Sequence, residues 1–131
     1  MRNVKVGVSV ILIRNGNEVL IGKRKGSHGA GTYSVPGGKL EYSETYDDGC
    51  SRELLEETGA KLNNFKKVGF SEDFFDEQHF ITLYFMKHVD SDIEIKNLEP
   101  EKCEEWVWIN VSELPELFCD TNNQINKIIN K

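Results

Sequence analysis

The sequence predicts an α/β fold in which a mixed central sheet is sandwiched between helices, an α/β/α arrangement. Three observations predict it. A β-branched apolar run occupies residues 4–13, and alternating runs occupy 78–89 and 103–111. A helical stretch over 45–58 lies between the first of these strands and the later two. Ile125, Ile128 and Ile129 recur at helical spacing near the end, marking a second, amphipathic helix over 122–130. A chain of 131 residues suits one domain, taken here as 1–131.

The elements follow in order. After 4–13, Asn15-Gly16-Asn17 is a turn signal, and 19–21 returns as the partner of a hairpin. Residues 22–31 read as a Gly-rich loop carrying Lys23, Arg24 and Lys25. Such a loop can bring cations to phosphates, Arg24 being best suited to a bidentate contact, or can be a solvated basic loop. His28 reads as a loop residue. A short strand over 32–35 leads to Pro36-Gly37-Gly38, read as a sharp turn whose glycines take φ > 0 and offer a carbonyl to a cation. Ser43 is the expected N-cap, with Glu44, Asp47 and Asp48 in the first turn, where the helix dipole favours acid. A strand around 65–70 precedes an acidic, turn-like segment over 73–77, from which Phe74 and Phe75 can dip toward a pocket. Trp106 and Trp108 share a strand face and are most simply core; base stacking by one of them is the alternative.

Charge and cysteine usage narrow the function classes. The net charge of −6 argues against a nucleic-acid polymer as partner, while allowing a local basic pocket. Three scattered cysteines, Cys50, Cys103 and Cys119, suit a reducing compartment rather than a disulfide frame. The apolar run at the start is too short to span a bilayer. A cytoplasmic protein without membrane partners is expected.

The chemistry lies in the helix over 45–58. Glu53, Glu56 and Glu57 fall within an arc of roughly 100° on one helix face. Glu53 and Glu57 are like charges four apart, costing about 0.2–0.5 kcal/mol. Glu56 and Glu57 also lie in the last turn before Gly59, where an anion opposes the dipole at about 0.3–1 kcal/mol each. A solvated acidic face is one reading. The other is a cation among the three, which reverses the sign of every one of these costs; all-oxygen ligands suit Mg²⁺ or Mn²⁺.

The full spacing runs Gly38, five residues, Glu44, seven residues, then Arg-Glu-Leu-x-Glu-Glu-x-Gly-Ala over 38–60. It resembles the Nudix box, and seven specified residues give a chance match of about 10⁻⁸ per start point. Gly49-Cys50 and Ala60 depart mildly from the box, at no charged position. The resemblance implies a Nudix α/β/α sandwich and Mg²⁺-dependent hydrolysis of a nucleoside diphosphate linked to another group. It makes Glu53 and Glu57 the main metal ligands, Glu56 a third and the carbonyl of Gly37 or Gly38 a further one. Glu53 can also activate water, and Arg52 is expected to orient Glu56 or Glu44. A carboxylate from outside the box often helps, and Glu99, Glu101 and Glu104 are the available choices.

The window 76–78 holds neither the Pro nor the Tyr that marks two Nudix subgroups, which leaves the MutT-like triphosphate pyrophosphohydrolases as the default. The stretches LIGKRKGSHGAGTYSVPGGKLEYSET and NLEPEKCEEWVWINVSELPELF are also similar to Nudix diphosphatases that act on oxidised and thiolated guanine nucleotides. That likeness implies Thr82, Leu117, Phe118 and Cys119 near the base, Lys23 or Arg24 near the phosphates, and a homodimer. The expected reaction is water attack on an inner phosphorus of a nucleoside triphosphate, giving the monophosphate and pyrophosphate. Another diphosphate substrate, dihydroneopterin triphosphate, or a silent nucleotide-binding regulator remain the alternatives.

Overall fold

The computed structural model describes residues 2–25 and 31–129; His28 lies outside them. The sheet is assembled on β1 (Val4–Arg14). Its Val8, Val10 and Leu12 are buried in one apolar layer and its Ile11 and Ile13 in another, so the strand is covered on both faces. Asn15 (φ 53°) and Gly16 (φ 72°) make the turn, with the paired positive φ that matches strand twist in a tight hairpin. Strand β2 (Glu18–Arg24) pairs with β1 only at Ile13↔Val19 and Arg14↔Glu18 before the two diverge.

Two short strands fill the wedge between them. β3 (Tyr33–Ser34) pairs with β2, and β4 (Gly37–Lys39) pairs with β1 through Val8↔Gly38. On its other edge β1 runs parallel to β6 (Gln78–Val89), from Val4↔His79 to Arg14↔Val89. β5 (Lys66–Phe75) closes that side antiparallel to β6, and β7 (Cys103–Asn110) lies antiparallel to β2. One parallel pair among antiparallel ones makes the sheet mixed. Helix α1 (Tyr46–Thr58) covers the Val8 face through Cys50 and Leu54; α2 (Thr121–Ile129) covers the opposite face through Ile125, beside Ile11, Met86 and Leu117. This is the expected layered sandwich; Trp106 and Trp108, both partly buried, pack against the α1 layer, and Trp106 also lines a cavity beside α1.

Several local expectations are revised. The N-cap of α1 is Thr45, whose Oγ1 accepts the Asp48 N–H at 3.1 Å; Ser43 sits two residues earlier with φ 65°. Glu44 therefore precedes the helix. Asp47 does more than meet the dipole: its carboxylate accepts the N–H groups of Phe65 (2.9 Å) and Asn64 (3.2 Å), tying the chain after α1 back to its start. Gly59 ends the helix at φ 77°, donating to the Leu55 carbonyl at 3.0 Å, as expected. Lys23 and Arg24 belong to β2 rather than to a loop. Pro36 bends the chain, but Gly37 and Gly38 are strand residues, and neither has positive φ. The turn between β5 and β6 is Asp76-Glu77 alone, with φ of 49° and 60°. Among the described residues, no helix is long and apolar enough to cross a membrane.

Candidate active site

A cavity of about 1100 Å³ opens between the C-terminal half of α1, strand β4 and the segment 97–103, and extends past β6 to Phe118 and Cys119. Glu53, Glu56 and Glu57 line one end of it. The 3.6-residue period sets them there, while Leu54, one residue past Glu53, goes into the core.

Arg52 organises the acids around it. Its Nε and Nη2 donate to the two oxygens of Glu44 at 2.6 and 3.0 Å, a bidentate grip. Nη2 also reaches the Lys39 carbonyl (2.9 Å), and Nη1 reaches Glu53 and Glu56, each at 3.2 Å. This hydrogen bonding from Arg52 holds the Glu44 carboxyl below its ordinary range, and the bonds from Glu44 raise the Arg52 guanidinium further. The guanidinium thus touches both acids that the spacing proposed for it, and Glu53 in addition.

Glu57 is held differently. Its Oε2 accepts the Gly37 N–H at 3.2 Å. Burial, then the neighbouring Glu53 and Glu99 charges, raise its carboxyl well above the usual value. Burial also raises Glu53, against the opposing pull of Arg52. Of the three outside carboxylates weighed from the sequence, Glu99 is the one whose charge acts on both Glu53 and Glu57. Glu101 lines the cavity, and Glu104 lies 3.7 Å from Lys23 in an ion pair.

The two glycines are distinguished by the ladder. Val10 N–H donates to Pro36 O (2.8 Å) and Leu40 N–H to Val6 O (2.9 Å). By alternation, Val8 and Gly38 form the hydrogen-bonded pair between these two, so the Gly38 carbonyl is turned to Val8. Gly37 turns its N–H and C=O the other way, toward Glu57. Gly37 demands glycine for space, since a Cβ there would overlap the Val8 carbonyl; a Cβ on Gly38 would overlap the Glu53 carboxylate, which a side-chain rotation can relieve.

The remaining candidates divide. Arg24 lines the cavity with its guanidinium 4.3 Å above the Phe118 ring; burial lowers its pKa from the usual value, and the Glu57 charge is among those that oppose the shift. Lys25, the third cation of that stretch, lines the same wall, whereas Lys23 points to Glu104. Thr82, Phe118 and Cys119 line the far end with Phe75 and Phe80. Leu117 is 3% exposed and packed in the core with Ile125, so it does not reach the cavity. Asp73, behind Thr82, was read from the sequence only as part of an acidic turn; it accepts hydrogen bonds from Thr82 and Ser71, both at 2.8 Å. No spacing rule marks it, because its partners come from the neighbouring strand.

Every candidate ligand for a divalent ion is a carboxylate or carbonyl oxygen, which suits Mg²⁺ or Mn²⁺. Glu57 is raised by burial and by two like charges, the imbalance a cation corrects. Among the described residues, no three His, Cys, Asp or Glu side chains converge at ligand distance on one point, since Arg52 draws Glu53 and Glu56 toward itself. The residues fit the ion by chemistry and placement, with side-chain adjustment at Glu53 and Glu56.

The NUDIX domain family matches residues 4–129. This chain belongs to the Nudix family. Over 61 residues it is 41% identical to the mouse (Mus musculus) oxidized purine nucleoside triphosphate hydrolase, covering 47% of this chain and 39% of that protein. Over 86 residues it is 36% identical to the 8-oxo-dGTP diphosphatase of Escherichia coli (strain K12), covering 65% of each. The matched segments therefore span less than two thirds of these curated relatives. The solved structure of a MutT NUDIX hydrolase from Burkholderia pseudomallei superposes with a TM-score of 0.85 at 23% identity, covering 99% of this chain and 100% of that one. That likeness extends the Nudix fold over nearly the whole chain.

Proposed function

We propose that the protein is a Mg²⁺-dependent Nudix hydrolase that splits nucleoside triphosphates, oxidised or otherwise modified purine nucleotides among them, into the monophosphate and pyrophosphate. The observation that carries the reading is the meeting of Glu53, Glu57 and Glu99 with the outward backbone of Gly37 at one end of a cavity whose other end is aromatic. The naming of the mouse and E. coli relatives supports the substrate class.

Glu53, Glu57, Glu56, Glu99 and the Gly37 carbonyl would hold the ion; Gly37 replaces Gly38 because the latter's carbonyl is spent in the ladder. When bound, Mg²⁺ neutralises the diphosphate and eases ionisation of an attacking water. Arg24 and Lys25 meet phosphate oxygens along the wall between the two ends. Arg52 keeps Glu53 and Glu56 in place through its anchor on Glu44. Glu53, raised by burial, is suited to take a proton from water facing the inner phosphorus. Phe118, Phe75 and Phe80 give the base an apolar, aromatic slot.

The test is turnover of a panel of canonical and oxidised nucleoside triphosphates with and without Mg²⁺, scored by product. Monophosphate plus pyrophosphate is expected; orthophosphate as sole product overturns the site of attack, and equal rates in chelator overturn the metal.

A homodimer belongs to the same reading. Val4, Phe70 and Phe74 are 55%, 66% and 70% exposed on the sheet face beyond α1, where a second copy can cover them. A monomer by light scattering removes it. The free thiols of Cys50, Cys103 and Cys119 accord with a reducing, cytoplasmic setting.

A further inference from the structure

At the aromatic end of the cavity the hydroxyl protons can be assigned. Asp73 Oδ2 accepts from Ser71 Oγ and from Thr82 Oγ1, each at 2.8 Å. The only proton on Ser71 is thereby used, so the 3.0 Å contact between Ser71 Oγ and Tyr84 Oη has Tyr84 as donor. Tyr84 Oη in turn accepts the Asp120 N–H at 3.2 Å. The chain of donors runs one way, from the Asp120 amide through Tyr84 and Ser71 to Asp73. Tyr84 is 1% exposed, so the chain is held in the interior, and it fastens the backbone beside Cys119 to β5 and β6.

The consequence falls on Thr82, which lines the cavity. It has given its only proton to Asp73 and turns lone pairs alone to a ligand. We propose that Asp73 is a positioning residue for base selection: it fixes Thr82 as an acceptor-only group on the cavity wall, so the cavity takes purines that present N–H donors on the facing edge and rejects those presenting a lone pair. This rests on the nucleotide reading above and names the edge chemistry that reading leaves open. An 8-oxopurine carries N–H at N7 where the parent purine carries a lone pair, and guanine carries an N2 amine that hypoxanthine lacks. A site built to accept a hydrogen bond loses heavily against an analogue that cannot donate one.

The experiment measures equilibrium binding of nucleoside monophosphates, without metal, so that it does not depend on turnover. The probes are 8-oxo-dGMP against dGMP, and dGMP against dIMP. Wild type is expected to favour the probe with the extra N–H by about tenfold in at least one pair, the factor that one lost buried hydrogen bond of about 1.4 kcal/mol yields. In Asp73→Ala the carboxylate that takes the Thr82 proton is gone and the hydroxyl is free to donate toward the cavity; the ratio should collapse to about twofold or less. Thr82→Val should collapse it also, and Thr82→Ser should restore it. No preference in either pair for wild type, unchanged ratios in both variants, or a parallel weakening of every probe overturns the proposal. Pyrophosphate release from dGTP and 8-oxo-dGTP is scored separately: preference without turnover sinks the hydrolase reading alone, and turnover without preference sinks this one alone.

Discussion

Arg52 and Glu44 share two parallel hydrogen bonds, 2.6 and 3.0 Å, across the start and middle of the segment that carries the acids. Glu44 stands before the helix and Arg52 within it, so the pair closes the turn at 42–43 onto α1. It also decides where Glu53 and Glu56 can go, because one guanidinium nitrogen reaches both. The expected outcome for Arg52→Lys follows from the fork. A lysine keeps the charge but cannot bind two oxygens of Glu44 and still reach Glu53. Turnover or apparent Mg²⁺ affinity should fall by about 10–100-fold, as for other residues that orient ligands. A Mg²⁺ titration of initial rates, with a melting curve to show the fold intact, checks it.

Glu57 differs: its carboxylate accepts a backbone N–H, that of Gly37, at 3.2 Å. Glu57→Gln should abolish most turnover while leaving the metal-free fold equally stable or more stable by about 0.5–1 kcal/mol, the cost of a like-charge neighbour and an anion at a helix C-terminus. Urea midpoints in chelator and rates in Mg²⁺, taken on the same preparations, test both halves. Wild-type rates would remove Glu57 from the metal site.

The same carboxyl makes a pH prediction. Its folded value is raised above 4.5, with burial the largest cause. Between 4.5 and that raised value the folded chain holds more protons than the unfolded one, so stability falls as pH rises through this window. Below the window the carboxyl is neutral in both states and contributes nothing; above it the full penalty is present. In chelator, the stability of wild type relative to Glu57→Gln should therefore decline as pH is raised from about 4.5, using the reference carboxylate value as the lower edge. Saturating Mg²⁺ should reduce or reverse the decline. A wild-type excess in stability that grows with pH in chelator would contradict the assignment.

What could be read from the sequence was local. The arc of Glu53, Glu56 and Glu57 follows from helix period alone, and the stop at Gly59 from its freedom to take φ 77°. What could not be read depended on register between distant strands. Lys23 and Arg24 part company because neighbouring residues of a strand face opposite sides of the sheet, whereas the glycines and cations of this stretch read as a loop. Glu99 was one of three equal choices until the segment after β6 folded against α1 through Lys96 N–H to Thr58 O (2.9 Å) and Leu98 N–H to Glu57 O (3.1 Å). Leu117 resembled a base contact but is pulled inward by its place under α2. Ser43 and Thr45 are both fair caps by type, and the backbone at Ser43, with φ 65°, excludes it from capping.

Neighbouring glycines give the sharpest mutational contrast. A Cβ at Gly37 meets the carbonyl and backbone of Val8 and Ser9, atoms fixed in the centre of the sheet. Gly37→Ala therefore has to push β4 off β1, and should destabilise the fold by about 2 kcal/mol or more, in the range of overpacked cores. A Cβ at Gly38 meets only the carboxylate of Glu53, the far end of a flexible side chain. Gly38→Ala can be accommodated by rotating Glu53, so the melting temperature should move little. That rotation takes Glu53 out of the 3.2 Å contact with Arg52 and away from Glu57 and Glu99, so turnover should drop by about 100-fold or more, as expected when a reacting group is misplaced by about 1 Å. Melting curves and initial rates for the two variants separate the cases. A Gly38→Ala protein with normal rates would mean that Glu53 does not act from the position it occupies beneath β4.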